Sequence, residues 1–383
     1  LARRIAAFHA EAAPDEARGG AAAMARVLAL DEEALRGAGL FGEEETNALT
    51  RALRETHARF APLLDARRAA GKVRRCHGDL TLKNICVHDG EATPFDCLEF
   101  DEDLATIDVL YDLAFLLMDL WRRERRDLAN LVFNRYLDAA EETDGLPLMP
   151  FFMAVRAGVR AHVTAAQAKD AEGARGAALR EEARRYFDLA GVLLVPVAPR
   201  LVALGGFSGS GKSTAASALA PTLGPAPGAR VLSSDRIRKA LHGVAHETRL
   251  PREAYRPDVS RAVYERQREA ARATLAARCA VVADAVFDRA EARDAIERVA
   301  RESCVAFDGV WLDAPLHALA PRVEARTGDA SDATVAVLET QAHAGAGEIG
   351  WRRIDASGDR GATDAALRAA RRLNLDRSAP PSL

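Results

Sequence analysis

Lysine is almost missing from this chain. Of its 53 basic residues only five are lysines (Lys72, Lys83, Lys169, Lys212 and Lys239), leaving 48 arginines. Codon bias accounts for such a skew, and it makes a lysine inside a glycine-rich loop stand out. Aromatic residues are only 5%, so the cores must be built mainly from alanine, leucine and valine. The five cysteines, Cys76, Cys86, Cys97, Cys279 and Cys304, are odd in number and form no C-x-x-C pair. That excludes a disulfide framework and a zinc knuckle and fits a reducing compartment. Neither sign of charge dominates: 53 basic residues face 56 acidic ones, for a net charge of −3. Composition therefore gives no reason to expect bulk nucleic-acid binding. Long hydrophobic runs are missing too. The most apolar stretch, Val109 to Trp121, is interrupted by Asp112 and Asp119 and is too short and too charged to span a bilayer. No apolar segment of the signal-peptide kind follows Leu1-Ala-Arg-Arg. These absences predict a cytoplasmic protein with no membrane partner. Hydrophobic residues are plentiful, 49% of 383, which excludes a largely disordered chain; that length predicts about two domains.

The first half has helical periodicity. Leu49, Leu53, Phe60, Leu63 and Leu64 recur at helical spacing between Glu43 and Ala70, and helices are predicted over 108–120, 127–140, 151–168 and 177–194. The chain begins with Leu1 rather than Met, inside an amphipathic pattern of Leu1, Ile5 and Phe8, and reads as the C-terminal part of something longer. One compact non-helical segment, 73–100, is expected to form a hairpin about Asp89-Gly90. Past the proline-punctuated stretch Val195–Pro199, short apolar runs alternate with helical segments. Strands are predicted over 201–204, 230–233, 280–283, 310–312 and 353–355. That alternation means βαβ units and a parallel sheet. The expected architecture is α/β, with a mostly helical domain over residues 1–195 and a parallel-sheet domain over 196–383.

Gly206-Phe-Ser-Gly-Ser-Gly-Lys212-Ser213 fits G-x-x-x-x-G-K-[ST], with a predicted strand before it and a helix after it. Glycines in such a loop let backbone N–H groups curl around phosphate oxygens, and the helix N-terminus adds partial positive charge. Gly206, Phe207, Ser208, Gly209, Ser210, Gly211, Lys212, Ser213 and Thr214 are therefore the candidate ATP cradle. Lys212 would reach the β/γ-phosphates, and Ser213 would place its hydroxyl on Mg²⁺. Asp235, 23 residues after Lys212, closes the second predicted strand in Asp235-Arg-Ile-Arg238. There it can accept a proton from a substrate hydroxyl or cap the following helix, while Arg238 can hold a phosphate. Asp284 ends the third strand, either as a holder of the Mg²⁺ water shell or as a structural strand-end residue. Arg322 and Arg326 lie four apart, on one helical face, and form either a solvated face or a lid that brings charge onto the transferring phosphate.

Residues 200 to about 360 resemble the P-loop small-molecule and nucleic-acid kinases, among them gluconate, shikimate, adenylate and 5′-hydroxyl polynucleotide kinases. The D-x-x-R of Asp235 and Arg238 is most similar to the last of these. The resemblance implies a general base at Asp235, a phosphate contact at Arg238, and an adenine near the loop Asp355-Ala-Ser-Gly358.

The helical half carries a second motif, His77-Gly78-Asp79-Leu-Thr-Leu-Lys-Asn84, followed 17 residues after Asp79 by Asp96 between apolar neighbours. This pattern resembles the aminoglycoside phosphotransferase family and its protein-kinase-like relatives. The resemblance implies that Asp79 is a catalytic base and that Asn84 and Asp96 hold Mg²⁺. It covers only the C-lobe. Nothing before Val73 supplies a β-rich lobe with a phosphate-covering loop and a strand lysine, and the second motif reads Asp96-Cys-Leu rather than D-F-G. The first half alone is therefore expected to be inactive. As a whole the chain resembles bacterial fusions of an aminoglycoside phosphotransferase-like lobe to a P-loop ATPase. Three readings follow. The leading one is an ATP- and Mg²⁺-dependent kinase acting on a hydroxyl of a small molecule or a nucleic-acid 5′ end. A nucleotide-dependent switch with a degenerate kinase lobe, and a bifunctional enzyme whose first half needs a missing lobe, are the alternatives. The stretch 230–272 carries 11 basic against 6 acidic residues, which favours a nucleic-acid end, but it offers only Tyr255 and Tyr264 for base stacking.

Overall fold

A computed structural model describes the whole chain except Phe100, residues 326–329 and residues 376–383. It divides into two compact units: Leu1–Val197 with Pro225–Pro227, and Ala198–Gly224 with Gly228–Leu383. Among the described residues, no helix is long and apolar enough to cross a membrane.

The first unit is mostly helical. Helices α1 (Ala2–Glu11), α2 (Gly20–Ala38) and α3 (Glu43–Ala69) precede the first strand. Gly39 ends α2 in the left-handed conformation at φ 66°, as a residue without Cβ can. In α3 three glutamates occupy the first turn, and Arg67 and Arg68 the last, which matches the helix dipole at both ends. Strands β1 (Val73–Arg75), β2 (Ile85–His88) and β3 (Glu91–Pro94) follow. β2 and β3 pair antiparallel through Asp89 and Gly90, both at positive φ (51° and 77°). The predicted Asp-Gly turn forms because its two central residues tolerate that region. A short helix α4 (Glu102–Ala105) leads into β4 (Thr106–Asp108), which pairs antiparallel with β1. Helix α5 (Val109–Arg122) has every residue from Val109 to Leu120 buried, and Asp108 caps it by accepting from the Leu110 amide. Helices α6 (Arg126–Leu137), α7 (Met149–Lys169) and α8 (Gly173–Leu193) complete the unit. Tyr111 of α5 meets Phe152 of α7 with ring centroids 5.3 Å apart. Arg67 is held by Asp108 at 2.7 and 2.9 Å, Glu142 at 2.7 Å and Asp144 at 3.0 Å. Its burial works against the charge, but these carboxylates outweigh it and raise its pKa.

The second unit is a five-stranded parallel sheet of β5 (Arg200–Gly205), β6 (Arg230–Ser233), β7 (Val281–Asp284), β8 (Ala306–Asp313) and β9 (Arg352–Asp355), in the order β6-β7-β5-β8-β9. All five predicted strands lie in it. Helices α9 (Lys212–Leu219), α10 (Ser234–Leu241), α11 (Pro257–Ala276), α12 (Ala290–Glu302), α13 (Leu316–Glu324), α14 (Val335–Ala344) and α15 (Arg360–Leu375) flank or cap it. The period of two along a strand builds two cores. Val202 and Leu204 face one way, with Val282, Leu312 and Ile354, onto Ala216 and Leu219 of α9 and Leu367 of α15. Leu201 and Ala203 face the other way, with Val281 and Ala283, onto Leu275 of α11 and Ile296 and Val299 of α12. Both faces are covered, which is why these strands read as continuous apolar runs. Strand order reverses at central β5, between β7 and β8. In an open α/β sheet the ligand crevice lies at such a switch point, outside the carboxyl ends of the strands.

Candidate active site

The glycine-rich loop emerges from the carboxyl end of β5 and runs directly into α9. Gly206 and Gly209 adopt φ of 141° and 88°; a Cβ would stand 2.6 Å from the Leu312 carbonyl oxygen at the first and 2.8 Å from that of Leu319 at the second. Only glycine lets the loop fold this tightly. The loop is braced by the Gly206 amide donating to Val286 O at 3.0 Å and the Ser210 amide to Phe207 O at 3.1 Å. Phe207 sits edge-on against Trp311 with centroids 5.5 Å apart. Lys212 Nζ donates to Phe207 O at 3.0 Å, so its ammonium lies against the loop. The first turn of α9, with Lys212, Ser213 and Thr214, presents N–H groups that have no intrahelical carbonyl to bond. Ser210 Oγ is buried and has no hydrogen-bond partner among the described residues. An orphaned hydroxyl inside a turn of glycines and helix-terminal amides fits a phosphate cradle.

Sheet register brings the acidic groups to the same edge. Leu204 of β5 and Ser233 of β6 both pair with Asp284 of β7. Asp284 is 3% exposed, and its Oδ2 accepts from Ser213 Oγ at 2.8 Å. Burial pushes the Asp284 pKa up, and the nearby Asp235 charge adds to this; Lys212 and the Ser213 and Ser233 hydroxyls offset only part. A buried carboxylate beside a hydroxyl supplies oxygen ligands suited to a hydrated divalent cation. Asp235 lies in the first turn of α10 and is half-buried. The N-cap position belongs to Ser233, without a side-chain cap bond, and Asp235 stands two residues further in.

Two of the predicted arginines point elsewhere. Arg238 is buried: it donates to Ala254 O at 2.7 Å and lies 4.6 Å from the centroid of the Tyr255 ring. Arg322 donates to the carbonyls of Ala356, Ser357 and Gly358 at 2.7, 2.9 and 2.6 Å. It holds the loop after β9, the segment expected near adenine. Arg326 lies outside the described residues.

Several residues around this edge escaped the sequence reading. Gln267 of α11 is fully buried, and its Nε2 donates to Leu232 O at 2.7 Å and Asp284 O at 3.3 Å, tying the ends of β6 and β7 together. Gln341 of α14 accepts the Ser208 amide at 3.0 Å. Asp332 gathers Lys239 Nζ, the Leu250 amide at 2.9 Å and Tyr255 OH at 2.6 Å. Only the unusual glutamine in an apolar helical position was visible beforehand; the other two depend on loops that no periodicity reports.

In the helical unit, Asn84 Nδ2 donates to both the carbonyl and Oδ2 of Asp79, each at 2.9 Å, and Lys83 Nζ stands 3.2 Å from that Oδ2. Asp96 is exposed, at φ 60°. The segment around it is pinned to the His77 loop: His77 Nε2 bonds Phe95 O at 2.8 Å, and the Leu98 amide donates to His77 O at 2.9 Å. Asp112, one of the two acids interrupting the apolar run of α5, accepts from the amides of His77 at 3.3 Å and Gly78 at 2.8 Å. It also pairs with His9 Nε2 at 3.0 Å, whose Nδ1 meets Tyr136 OH at 2.9 Å. Burial works to raise the Asp112 pKa, but the His9 contact, the Arg156 charge and the Gly78 amide bring it below the usual value. His9, Cys76 and Asp112 place ligand atoms within 4.8 Å of one another, yet Cys76 Sγ donates to Ile107 O at 3.5 Å and both His9 nitrogens are engaged. His9 and Asp112 are joined in a hydrogen-bond network with Tyr136, and Cys76 beside them is engaged with a backbone carbonyl.

Two family models match separate stretches of the chain. Residues 1–148 match the model of the phosphotransferase enzyme family, and residues 201–344 match an AAA domain model. Uncharacterized proteins of Mycobacterium tuberculosis and Mycobacterium bovis are each 32% identical over 288 residues, covering 74% of this chain and 56% of the relative. The chain thus spans about half the length of the curated relatives it matches. Among solved structures, a gluconokinase from Sinorhizobium meliloti is 24% identical, covering 46% of this chain and 97% of that one, with a TM-score of 0.30. The Mycobacterium tuberculosis APS kinase, solved with AMPPNP and APS, is 23% identical, covering 47% and 99%, with a TM-score of 0.31. Each of the two compact units thus carries its own family match, the phosphotransferase enzyme family in the first and an AAA domain in the second.

Proposed function

We propose that this protein is an ATP- and Mg²⁺-dependent phosphotransferase whose transfer site lies in residues 196–383 and whose acceptor is a hydroxyl of a small molecule or of a nucleic-acid 5′ end. The observation that carries the reading is the Ser213 Oγ to Asp284 Oδ2 hydrogen bond of 2.8 Å at the mouth of the glycine-rich loop. It joins the loop serine to a buried carboxylate at the edge where Lys212 and Asp235 also lie. Ser213 and Asp284 would hold Mg²⁺, the latter through its water shell, and the ion would neutralise charge on the β- and γ-phosphates. Loop and α9 amides orient the triphosphate, and Lys212 draws charge from it. Asp235 takes the proton of the acceptor hydroxyl as the new oxygen–phosphorus bond forms and the β–γ bridging bond breaks, leaving ADP. Transfer of this kind needs little beyond positioning and electrostatics. Arg238 and Arg322 serve this site only if they leave their present carbonyl partners, so the reading rests on the lysine, the serine and the two aspartates. The setting of such a site is intracellular, where ATP is available.

The test is transfer of label from γ-labelled ATP to a panel of hydroxylated metabolites and 5′-hydroxyl oligonucleotides by the full chain. Mg²⁺-dependent labelling of one class, lost in Lys212→Ala, supports the reading. ATP hydrolysis with no labelled acceptor favours the nucleotide switch instead.

A further inference from the structure

Lys239 of α10 has no exposed surface, and the proposed transfer gives it no part. Its Nζ donates to Asp332 Oδ2 at 2.5 Å and to the Thr248 carbonyl. Asp332 comes from the segment just before α14, 93 residues further along the chain, and its side chain is 9% exposed. Burial works to raise the Asp332 pKa, but Lys239, Tyr255 OH and the Leu250 amide bring it below the ordinary value. It therefore stays a carboxylate. Lys239 and Asp332 form an ion pair shut off from water, with no net charge.

This pair stands beside the candidate base. Asp235 and Lys239 are four apart in α10, hence neighbours on one helical face. From the other side, Asp332 and Asp235 both act on the Tyr255 hydroxyl: burial raises its pKa, and both negative charges add to this. The other charged and titratable groups about Asp235 come from several elements. Arg236 and Arg238 follow it in α10. Tyr264 of α11 feels its charge together with those of Asp288 and Arg238, and Asp284 of β7 feels it together with that of Lys212.

Opposite charges near a carboxyl favour its ionised form and like charges its protonated form, more strongly where water is excluded. Lys239 alone would hold Asp235 ionised and make it a weaker base. Asp332 alone would do the reverse. Joined, they cancel.

We propose that Asp332 and Lys239 are a positioning pair for proton transfer: Asp332 takes up the Lys239 ammonium one turn from Asp235 and cancels its charge, which keeps Asp235 basic enough to receive the acceptor's proton. The inference rests on the reading of Asp235 as the general base.

The test compares the full chain with Asp332→Asn, Lys239→Met and the double variant. Carboxyl-carbon NMR follows the titration of Asp235, whose signal is assigned by its loss in Asp235→Asn. Asp332→Asn leaves the ammonium uncompensated and should lower the midpoint by at least about 0.5 pH unit, while Lys239→Met leaves the carboxylate and should raise it by a similar amount. The double variant should bring the midpoint back to that of the parent. Simple loosening of the segment around Thr248 and Leu250 would instead leave the double variant at least as disturbed as either single one. If one single variant does not fold, the sign in the other and the return in the double variant decide. Shifts of the same sign in both singles, a double variant displaced as far as either, or a midpoint that does not move would each overturn the inference. On an acceptor found by screening, the acid limb of kcat should follow the midpoint in every variant. A midpoint that moves as expected while the acid limb stays in place would overturn the reading of Asp235 as the base, which separates that failure from a failure of the pair to act on Asp235.

Discussion

Replacing Asp284 by asparagine separates what the fold needs from what the proposed site needs. Asp284 is 3% exposed, and burial, with the Asp235 charge, holds its pKa above the ordinary value. A carboxyl whose folded pKa exceeds its unfolded one makes the native state bind protons more tightly. Its ionised form therefore destabilises the fold; the penalty is complete above the folded pKa and fades as pH falls through that value towards the unfolded one. Each pKa unit of elevation corresponds to about 1.4 kcal/mol. Asparagine removes the charge and keeps a carbonyl oxygen that can accept from Ser213. Ligand-free Asp284→Asn should thus be at least as stable as the parent at pH 7. A gain of about 1 kcal/mol would appear as a rise of about 2–4 °C in Tm for a domain of this size. The difference should shrink as the pH is lowered towards 4. The same variant should lose the Mg-ATP-induced rise in Tm, whose underlying stabilisation reaches about 2.7 kcal/mol for a ligand at 100 times its Kd. Thermal melts with and without Mg-ATP across this pH range read both effects. A ligand-free variant markedly less stable than the parent, or one that keeps the full Mg-ATP shift, would refute the reasoning.

The loop lysine, the candidate base and two buried polar groups give the remaining expectations. Lys212→Ala should abolish Mg-ATP binding measured by calorimetry on the full chain; unchanged affinity would sink the cradle assignment. Asp235→Asn should lower kcat by about 10²-fold or more with little change in ATP affinity, as a general base would; intact turnover on the acceptor found by screening would leave the residue without a chemical role. Gln267→Leu strands the Leu232 and Asp284 carbonyls, so denaturant unfolding should show a loss of about 1–3 kcal/mol. Arg67→Met leaves Asp108 and Glu142 buried without their cation and should cost the helical unit about 3–5 kcal/mol; a melt of that unit unchanged by the substitution would show that the carboxylates find other partners.

The sequence by itself determined the parts whose information is local. Apolar runs bounded by breakers marked all five strands of the sheet, because a strand covered on both faces must be apolar along its length. The Asp89-Gly90 dipeptide located the hairpin, since few other pairs accept two positive φ values in succession. The loop from Gly206 to Ser213 could be read as a cradle from its spacing, as backbone geometry alone demands those glycines. That Asp284 and Asp235 lie towards one edge was legible because strand ends in a parallel sheet share it, although Asp235 falls in the first turn of α10 rather than at the strand end. Tertiary structure alone decided which distant groups meet there. Gln267 reaches the ends of β6 and β7 from 35 and 17 residues away in sequence, and Asp112 takes up the amides of the His77 loop from an apolar helix. Arg238, Arg322 and Arg156 carry the same side chain. Neighbours assembled by folding spread Arg322 over three backbone carbonyls and give Arg238 and Arg156 one carbonyl and an aromatic face each, because an arginine's role is set by where its counter-charges and acceptors lie in space.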